Sequence, residues 1–264
     1  MSAQRDNRGD SASSVGRTQG ANSARKLIMT VLSFTTQRPT PTIPELAEAV
    51  GVPQSTMYRY ASLLRETGLI EPIGDSRYRL TDAVVGLAAA ADAGRTSLID
   101  AAGGHLAELR DAFDETVLLA RRGGAHAYCI AREESSHPVR LQFAVGQAMP
   151  LHSGSAARIL LAAMPERERT NYLEHQVASL SSGQQALLSE TALARVRTDG
   201  WTQSREEVDT GIWGCAAAIT QRGHVVAALG TAGPLSRLDE DRRRHIIDLV
   251  RRHAAAISTD LEDR

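Results

Sequence analysis

The strongest chemical signal in the sequence is a row of polar side chains in its first third. These residues recur at positions i, i+3, i+4 and i+7: Ser55, Tyr58, Arg59 and Ser62. This spacing places them on one face of a helix. Hydroxyls and a guanidinium there can hydrogen-bond base edges and phosphates in a DNA major groove, and Arg59 can hold a guanine with two hydrogen bonds. Gln54 and Thr56 lie at the N-terminal end, where backbone amides favour phosphate. A solvated helix face is the alternative for this row taken alone.

Two further arginines, Arg77 and Arg79, stand two positions apart in a short β-like segment. Side chains at this spacing point to the same side of a strand. The preceding Gly74-Asp75-Ser76 is typical of a turn, so residues 69–73 and 77–80 are predicted to form a β-hairpin. Such a hairpin can carry both arginines to backbone phosphate or to a minor groove, which favours DNA binding over the solvated-face alternative.

The elements that must position these side chains lie immediately before them. Apolar residues at helical spacing predict a helix over residues 23–37. Thr42-Ile43-Pro44-Glu45 is a capping box that predicts a second helix through Val50, and Gly51 predicts its end. The third helix is predicted over Pro53–Thr67, with one apolar face formed by Met57, Tyr60, Ala61 and Leu64. Three helices with a tight turn, followed by a hairpin, indicate a winged helix-turn-helix.

The rest of the chain predicts a linker helix over Thr81–Ala93 and a second, α+β unit. Further helices are predicted at Leu98–Phe113, Ser155–Ala163, Glu166–His175, Glu190–Thr198 and Asp239–Thr259, with a polar loop around residues 181–183. Strands are predicted at Thr116–Ala120, His126–Ala131, Val139–Phe143, Met149–His152, Ile212–Thr220 and His224–Thr231. Their order favours an antiparallel sheet with helices packed on it.

Composition limits the class of protein. The net charge is −1, but residues 1–80 carry ten Lys or Arg against seven Asp or Glu, a net +3 that leaves −4 for the rest. This sign suits a DNA-binding N-terminal domain.

No apolar run is long enough for a membrane span or signal peptide, so we expect a cytoplasmic protein with no membrane partner. Residues 1–20 are predicted to be a disordered tail. The two cysteines, Cys129 and Cys215, indicate buried thiols rather than a disulfide or zinc site.

Three other functions are weighed against DNA binding: catalysis, metal binding and binding of a protein partner. Catalysis by His152-Ser153 is disfavoured, because neighbours on a strand point to opposite faces and no nucleophile-elbow glycines are present. The eight histidines show no metal-ligand spacing, so no metal and no cofactor are predicted. A winged helix that binds a protein partner instead of DNA stays open as the alternative function.

Three segments together resemble the IclR family of bacterial regulators. PELAEAVGVPQSTMYRYASLLRETGLIE followed by SRYRLTD resembles its winged helix. LHSGSAARILLAAMP is similar to a strand-into-helix segment of its effector domain, and DGWTQSREEVDTGIWGCAAAITQRGHVVAALGTAGPLSRL is similar to its signature region. The resemblance covers about residues 22–258. Together with the composition and the element order above, it predicts a tail (1–20), a winged helix-turn-helix (21–80), a linker helix (81–96) and a GAF-like effector-binding domain (97–264).

The resemblance also implies an effector site. In the family, backbone amides at the positions of Ser155 and Ala156 hold an effector carboxylate, and an apolar wall includes the positions of Leu141 and Met149. Members that bind small keto acids supply an acid, a thiol and two hydroxyls from the signature region. The matching residues here are Ser204, Gly214, Gly230 and Ala232. This implies a roomier, less polar pocket, and an aromatic or otherwise hydrophobic organic acid as effector.

These observations predict a transcription regulator, with repression favoured over activation. One winged helix buries too little surface for tight specific binding. We therefore expect a homodimer, or a tetramer made of two dimers, on a pseudo-palindromic operator in double-stranded DNA.

Overall fold

The winged unit begins with three helices. The structure, a computed structural model, describes residues 21–263 apart from residues 36, 94–95, 177 and 179. The helices are α1 (Asn22–Leu32), α2 (Ile43–Val50) and α3 (Gln54–Glu66). The predicted capping box is present: the Thr42 N–H donates to a Glu45 carboxylate oxygen at 2.7 Å, and the Glu45 N–H donates to the Thr42 hydroxyl at 3.4 Å. Gly51 ends α2 with φ +65°, a conformation that costs glycine little, and so makes the tight turn into α3.

A small apolar core joins these helices to a hairpin. On α3, Met57, Ala61 and Leu64 are buried and Tyr60 is half-buried, as the helical spacing predicts. The hairpin consists of β1 (Ile70–Pro72) and β2 (Tyr78–Leu80), paired antiparallel. The winged helix-turn-helix prediction is therefore confirmed.

Two consecutive helices lead from the winged unit to the larger one. They are α4 (Ala83–Ala93) and α5 (Thr96–Phe113). The linker helix starts two residues later than predicted, after a turn in which the Thr81 hydroxyl accepts the Ala83 N–H at 3.3 Å. The side chains of Val85 and Leu87 on α4 are 65% and 62% exposed, so an apolar surface of this helix is uncovered in the single chain.

The larger unit is built on a six-stranded antiparallel sheet in the order β5-β4-β3-β8-β7-β6. The strands are β3 (Thr116–Gly123), β4 (His126–Glu133), β5 (Ala148–Pro150), β6 (Trp201–Arg205), β7 (Ile212–Gln221) and β8 (His224–Pro234). Strand β8 pairs with both β7 and β3, with Thr116 opposite Ala232. One continuous sheet therefore joins segments more than 100 residues apart.

Helices cover both faces of this sheet. The remaining helices are α6 (Ser155–Ala162), α7 (Glu166–Gln176), α8 (Ser182–Leu187), α9 (Glu190–Asp199) and α10 (Glu240–Glu262). One face packs against α5 and α10 and buries Leu119, Trp213 and Ile246. The other packs against α6 and α9 and buries Leu118 and Leu160. The predicted α+β class, with helices flanking an antiparallel sheet, is confirmed.

The strand predicted at Val139–Phe143 is wrong. Side chains hold this segment in place of ladder hydrogen bonds. The Thr116 hydroxyl donates to the Leu141 carbonyl at 2.8 Å, and the Arg237 guanidinium donates to the Val139 carbonyl at 3.0 Å. These two hydrogen bonds hold the segment beside the sheet, where it does not form a strand.

Two other segments are more ordered than their polar sequence predicts. Residues 182–187 form α8, begun by a capping box between Ser181 and Gln184, because such a box stabilises even a short helix. Trp201–Arg205, where no strand is predicted, forms the edge strand β6 against β7.

The predicted disordered tail, residues 1–20, lies outside the described residues. In the described part, no helix is long and apolar enough to cross a membrane.

The two cysteines, Cys129 and Cys215, are free, buried thiols. Burial raises the pKa of Cys129 to about 11 and also raises the pKa of Cys215, so neither thiol is poised to ionise.

Candidate DNA interface and ligand cavity

The polar face predicted on α3 lies on the surface. Gln54, Ser55, Tyr58 and Arg59 are exposed, and Thr56 is half-buried. Met57 and Ala61 point into the core from the same helix, so the two faces are opposed as the sequence predicts. Within the described residues, Arg59 has no hydrogen-bond or ion-pair partner, and its guanidinium can meet a base edge without first leaving another contact.

The two hairpin arginines are exposed but differ in their partners. Arg77 donates to the Thr40 carbonyl at 2.9 Å, and its charge acts on Glu45 without forming an ion pair among the described residues. Arg79 forms an ion pair with Glu71 at 2.5 Å, across the hairpin. Arg79 must therefore exchange a carboxylate for a phosphate if it contacts DNA, whereas Arg77 need only give up a neutral acceptor.

This difference predicts unequal effects of substitution. We expect Arg77→Ala to weaken binding to operator and random DNA alike and to reduce the slope of log affinity against log salt by about 1, since each phosphate contact releases about one counterion. Arg79→Ala should act in the same direction but less, because Glu71 already neutralises it. Fluorescence anisotropy at several salt concentrations measures both slopes. Equal slopes for Arg77→Ala and the unsubstituted protein would contradict the assignment.

A cavity of about 270 Å³ lies between the sheet, the start of α6 and two loops. Its lining is mainly apolar or small, with a few polar groups. The lining residues include seven of the eight predicted effector residues: Leu141, Met149, Ser155, Ala156, Ser204, Gly230 and Ala232. The structure thus brings together residues from four separate segments that the family resemblance had grouped.

The floor of the cavity is a patch of small residues on neighbouring strands. Ser204 is opposite Gly214, and Gly214 is opposite Ala232 in the sheet register. A Cβ added at Gly230 would lie 3.2–3.4 Å from atoms of Cys215, Ala216 and Ala156. The floor is therefore flat because larger side chains do not fit between the sheet and α6.

Gly214 is the one predicted residue that does not line the cavity. It is on the same face, but a Cβ there would lie 3.2 Å from the Ser204 Oγ, 3.3 Å from the Ala232 Cβ and 2.9 Å from the Thr231 carbonyl oxygen. Ser204 and Ala232 thus close over it. A larger residue at Gly214 would strain the sheet rather than fill the cavity.

The N-terminus of α6 opens onto this cavity. Its cap residue Gly154 has φ +87° and offers no side-chain cap. Ser155, Ala156 and Ala157, which follow, all line the cavity. The first backbone N–H groups of a helix have no acceptor within the helix, and together with the helix dipole they favour an anion.

A buried ion pair secures this end of the cavity. The Arg158 and Glu207 side chains are 4% and 9% exposed, and their charged atoms are 2.7 Å apart. Arg158 also donates to the Thr202 hydroxyl and the Gln203 carbonyl, while Glu207 accepts the Gly154 N–H at 3.3 Å. The pair fastens the loop after β6 to α6, and the Glu207 charge that faces the cavity is compensated.

The loop walls contain residues that are not among the predicted effector residues. Phe143, Val208 and Ile212 contribute apolar surface to the cavity, and Gln142 and Asp209 contribute polar surface. Phe143 could have been found, since it lies two positions after Leu141. Nothing in the local sequence marks the residues after β6, because their role depends on the Arg158–Glu207 contact.

His152 and Ser153 do not form a catalytic pair. The Tyr172 hydroxyl accepts the Leu151 N–H and lies 2.9 Å from the His152 Nδ1. The Ser153 hydroxyl donates to the Glu207 carbonyl instead. Burial lowers the pKa of His152, so this ring serves as a neutral hydrogen-bonding group.

Comparison with known proteins places both units in one family. Residues 24–74 match the IclR helix-turn-helix domain, and residues 90–259 match the family described as bacterial transcriptional regulator IclR C-terminal. The HTH-type transcriptional regulator KipR of Bacillus subtilis is 29% identical over 236 residues, 87% of this chain and 93% of KipR. The HTH-type transcriptional repressor AllR of Salmonella typhi is 34% identical over 157 residues, 56% of each chain.

A solved structure shares the fold. An IclR homologue from Microbacterium hydrocarbonoxydans, crystallised in complex with 4-hydroxybenzoate, has a TM-score of 0.70 and 22% identity. The similarity covers 90% of this chain and 98% of that one. At this identity the comparison establishes the common fold of the two proteins.

Proposed function

The chain belongs to the IclR family of bacterial transcription regulators, and on that premise we propose that it is a repressor whose operator binding is controlled by an organic acid with an aromatic or otherwise apolar body. Like its relatives, it is a DNA-binding regulator and not an enzyme. The observation that carries the finer proposal is the cavity in which the N-terminus of α6 meets an apolar wall and a floor of small residues.

The carboxylate of the effector has a natural place at the start of α6. Backbone amides at a helix N-terminus bind anions without a cationic side chain. Of the two acids in the cavity lining, Glu207 is already paired with Arg158 and does not repel the ligand as a single charge would. Asp209, the other acid, lies on the loop after β6.

The body of the effector is expected to be apolar for two reasons. The part of the wall formed by Leu141, Phe143 and Met149 offers no hydrogen-bonding side chain, and Gln142 and Asp209 add polar groups elsewhere in the lining. Of the four clamp positions only Ser204 keeps a hydroxyl, and that hydroxyl faces the Gly214 carbonyl at 3.4 Å. An unpaired polar ligand group would cost about 1–3 kcal/mol, whereas apolar surface gains about 25 cal/mol per Å² buried.

Two relatives support these two parts of the proposal. AllR is named a repressor, and the Microbacterium homologue is named as a complex with 4-hydroxybenzoate. A hydroxylated aromatic acid has the combination of one carboxylate and a flat apolar body that this cavity favours.

A thermal-shift screen tests the effector class. We expect benzoate and 4-hydroxybenzoate to raise the melting temperature by roughly 5–10 °C at about 100 times their Kd. Glyoxylate and pyruvate should leave it nearly unchanged. Because a ligand acts only through its differential affinity for two states, the same aromatic acids should also release the protein from DNA selected out of a random duplex library.

A matched pair of variants locates the effect. Ala232→Leu fills part of the cavity with a larger side chain, whereas Ala218→Leu makes the same change at a half-buried position of the same sheet that does not line the cavity. Only Ala232→Leu should abolish the aromatic shift. Stabilisation by keto acids alone, or an undiminished aromatic shift in Ala232→Leu, would refute the proposed ligand class.

We further infer a dimer, from the apolar surface of the N-terminal helices. Val85 and Leu87 are exposed on α4, and Ile28, Met29 and Leu32 on α1 are 61%, 43% and 63% exposed. Several exposed apolar residues on one helix are typical of a protein interface. A second copy of the chain is the expected occupant, because two recognition helices are needed for tight binding to a pseudo-palindromic operator.

Light scattering tests this assembly. We expect a dimer or tetramer at micromolar concentration and a smaller species for Leu87→Glu, because a buried unpaired carboxylate is costly. Val139→Glu is the control, since Val139 is 71% exposed and lies far along the chain from α1 and α4. A monomeric unsubstituted protein, or dissociation by both variants alike, would exclude this interface.

A further inference from the structure

The fold brings together two histidines that are 148 residues apart in the sequence. His105 lies on α5 and His253 on α10, and their Nδ1 atoms are 2.9 Å apart. The rings meet edge to face, with centroids 5.1 Å apart. The helices pack antiparallel here, since Phe113 near the end of α5 accepts a hydrogen bond from Arg242 near the start of α10. The sequence analysis predicts no metal site because this contact is not visible in residue spacing.

A carboxylate completes the cluster. Glu108 lies three residues after His105, so the two side chains share one face of α5. A Glu108 carboxylate oxygen is 3.8 Å from the His253 Nδ1. The three ligand atoms, two imidazole nitrogens and one carboxylate oxygen, all lie within 4.8 Å of one another. In a tetrahedral zinc site with bonds of about 2.0–2.1 Å, neighbouring ligand atoms are about 3.3 Å apart, so small side-chain rotations suffice.

A second carboxylate faces the opposite side of one ring. An Asp260 oxygen is 3.7 Å from the His105 Nε2. A metal-bound histidine commonly donates its other N–H to a carboxylate, which fixes the tautomer and makes the ring a better ligand. Burial lowers the pKa of His253, and the neighbouring His105 lowers it further. The lowered pKa of His253 favours the neutral form of that ring, which is the form that binds a metal.

We propose that His105, His253 and Glu108 bind a zinc ion, with water in the fourth position, and that Asp260 orients His105. Two imidazoles and a carboxylate are ligands that zinc favours over magnesium or calcium. In the free protein one Nδ1–H is shared between the rings. On zinc binding that proton moves to the Nε2 of the same ring, and no electron transfer is involved.

The ion would tie α5, which directly follows the linker helix, to α10. Arg252 is the positive charge that acts on His253 and opposes the ion, while Glu108, Asp260 and the two rings favour it. This site is separate from the ligand cavity, whose lining includes none of these residues. Zinc binding at this site is therefore independent of the proposed effector.

Calorimetric titration of the full chain, free of any histidine tag and stripped with a chelator, tests the site. We expect one equivalent of ZnCl₂ to bind at pH 7.5, and MgCl₂ not to compete. Zinc affinity should fall as the pH is lowered towards 5.5, because protonated rings are not ligands. Asp260→Asn should weaken zinc binding by about 10–100-fold, and His105→Gln or His253→Gln by at least that much.

Two further variants keep the test decisive. His245→Gln is the matched control, because His245 is exposed on the same helix α10 and belongs to no cluster in the described residues. Glu108→Gln changes a 68% exposed side chain, so it should weaken zinc binding without impairing folding. If the unsubstituted chain takes up no zinc, or if the cluster variants bind it as tightly as His245→Gln does, the proposal is wrong and the histidine pair is a structural hydrogen bond only.

Discussion

Arg158→Met is expected to destabilise the effector domain by about 3–5 kcal/mol at pH 7, the cost of leaving one partner of a buried ion pair without the other. Among the described residues, the Glu207 carboxylate would keep only the Gly154 N–H as a partner, at 3.3 Å. The loop after β6 would also lose its connection to α6, since Arg158 donates to the Thr202 hydroxyl and the Gln203 carbonyl. Urea denaturation followed by circular dichroism measures the loss.

A second substitution identifies the cause of this loss. Replacing Glu207 by leucine as well removes the unpaired buried carboxylate, so the double variant should recover much of the stability that Arg158→Met loses. A deficit that is undiminished in the double variant would show that lost packing and not charge is responsible.

An exposed ion pair supplies the matched control. Arg122 and Glu168 are 3.1 Å apart, with side chains 32% and 53% exposed. Arg122→Met removes the same guanidinium from a solvated pair and should cost only about 0–1 kcal/mol. The charged atoms of the two pairs are at similar distances, so the expected difference in lost stability comes from the difference in burial.

Arg59→Ala is expected to weaken operator binding by about 1–3 kcal/mol while leaving binding to random DNA nearly unchanged, the pattern of a lost base contact. Arg59 is exposed on α3 on the face opposite Met57 and Ala61. Competition between the selected operator and random duplex in an anisotropy assay measures the two losses separately.

The control for Arg59 lies on the same helix. Arg65 is also exposed, but at 100° per residue it falls on a different face from Arg59. Arg65→Ala should lower both affinities slightly or not at all. If Arg59→Ala reduces binding to operator and random DNA equally, Arg59 contacts phosphate and another side chain of α3 reads the bases.

The sequence by itself determined the winged unit almost completely, because its signals are local. The Thr42–Glu45 capping box, the left-handed Gly51 and the apolar spacing on α3 each act within a few residues, where backbone geometry and helix periodicity dominate. The opposed polar and apolar faces of α3 follow from that periodicity alone. The family resemblance then located seven of the eight predicted effector residues at one cavity, though it could not show their geometry.

Only the tertiary structure decided features that depend on contacts between distant segments. The sequence of Val139–Phe143 suits a strand, but hydrogen bonds from Thr116 and Arg237 hold it beside the sheet. Gly214 matches a ligand position, yet the side chains of Ser204 and Ala232 close over it. In both cases long-range packing overrides a correct local pattern.

The charged clusters are the clearest case of this division. Arg158 and Glu207 are 49 residues apart, and His105 and His253 are 148 apart. No periodicity links such residues, because their meeting is set by how α6 and the loop after β6, or α5 and α10, lie on the sheet. Sequence patterns report the environment within one element, whereas the pairing of buried charges and candidate metal ligands is a property of how elements pack together.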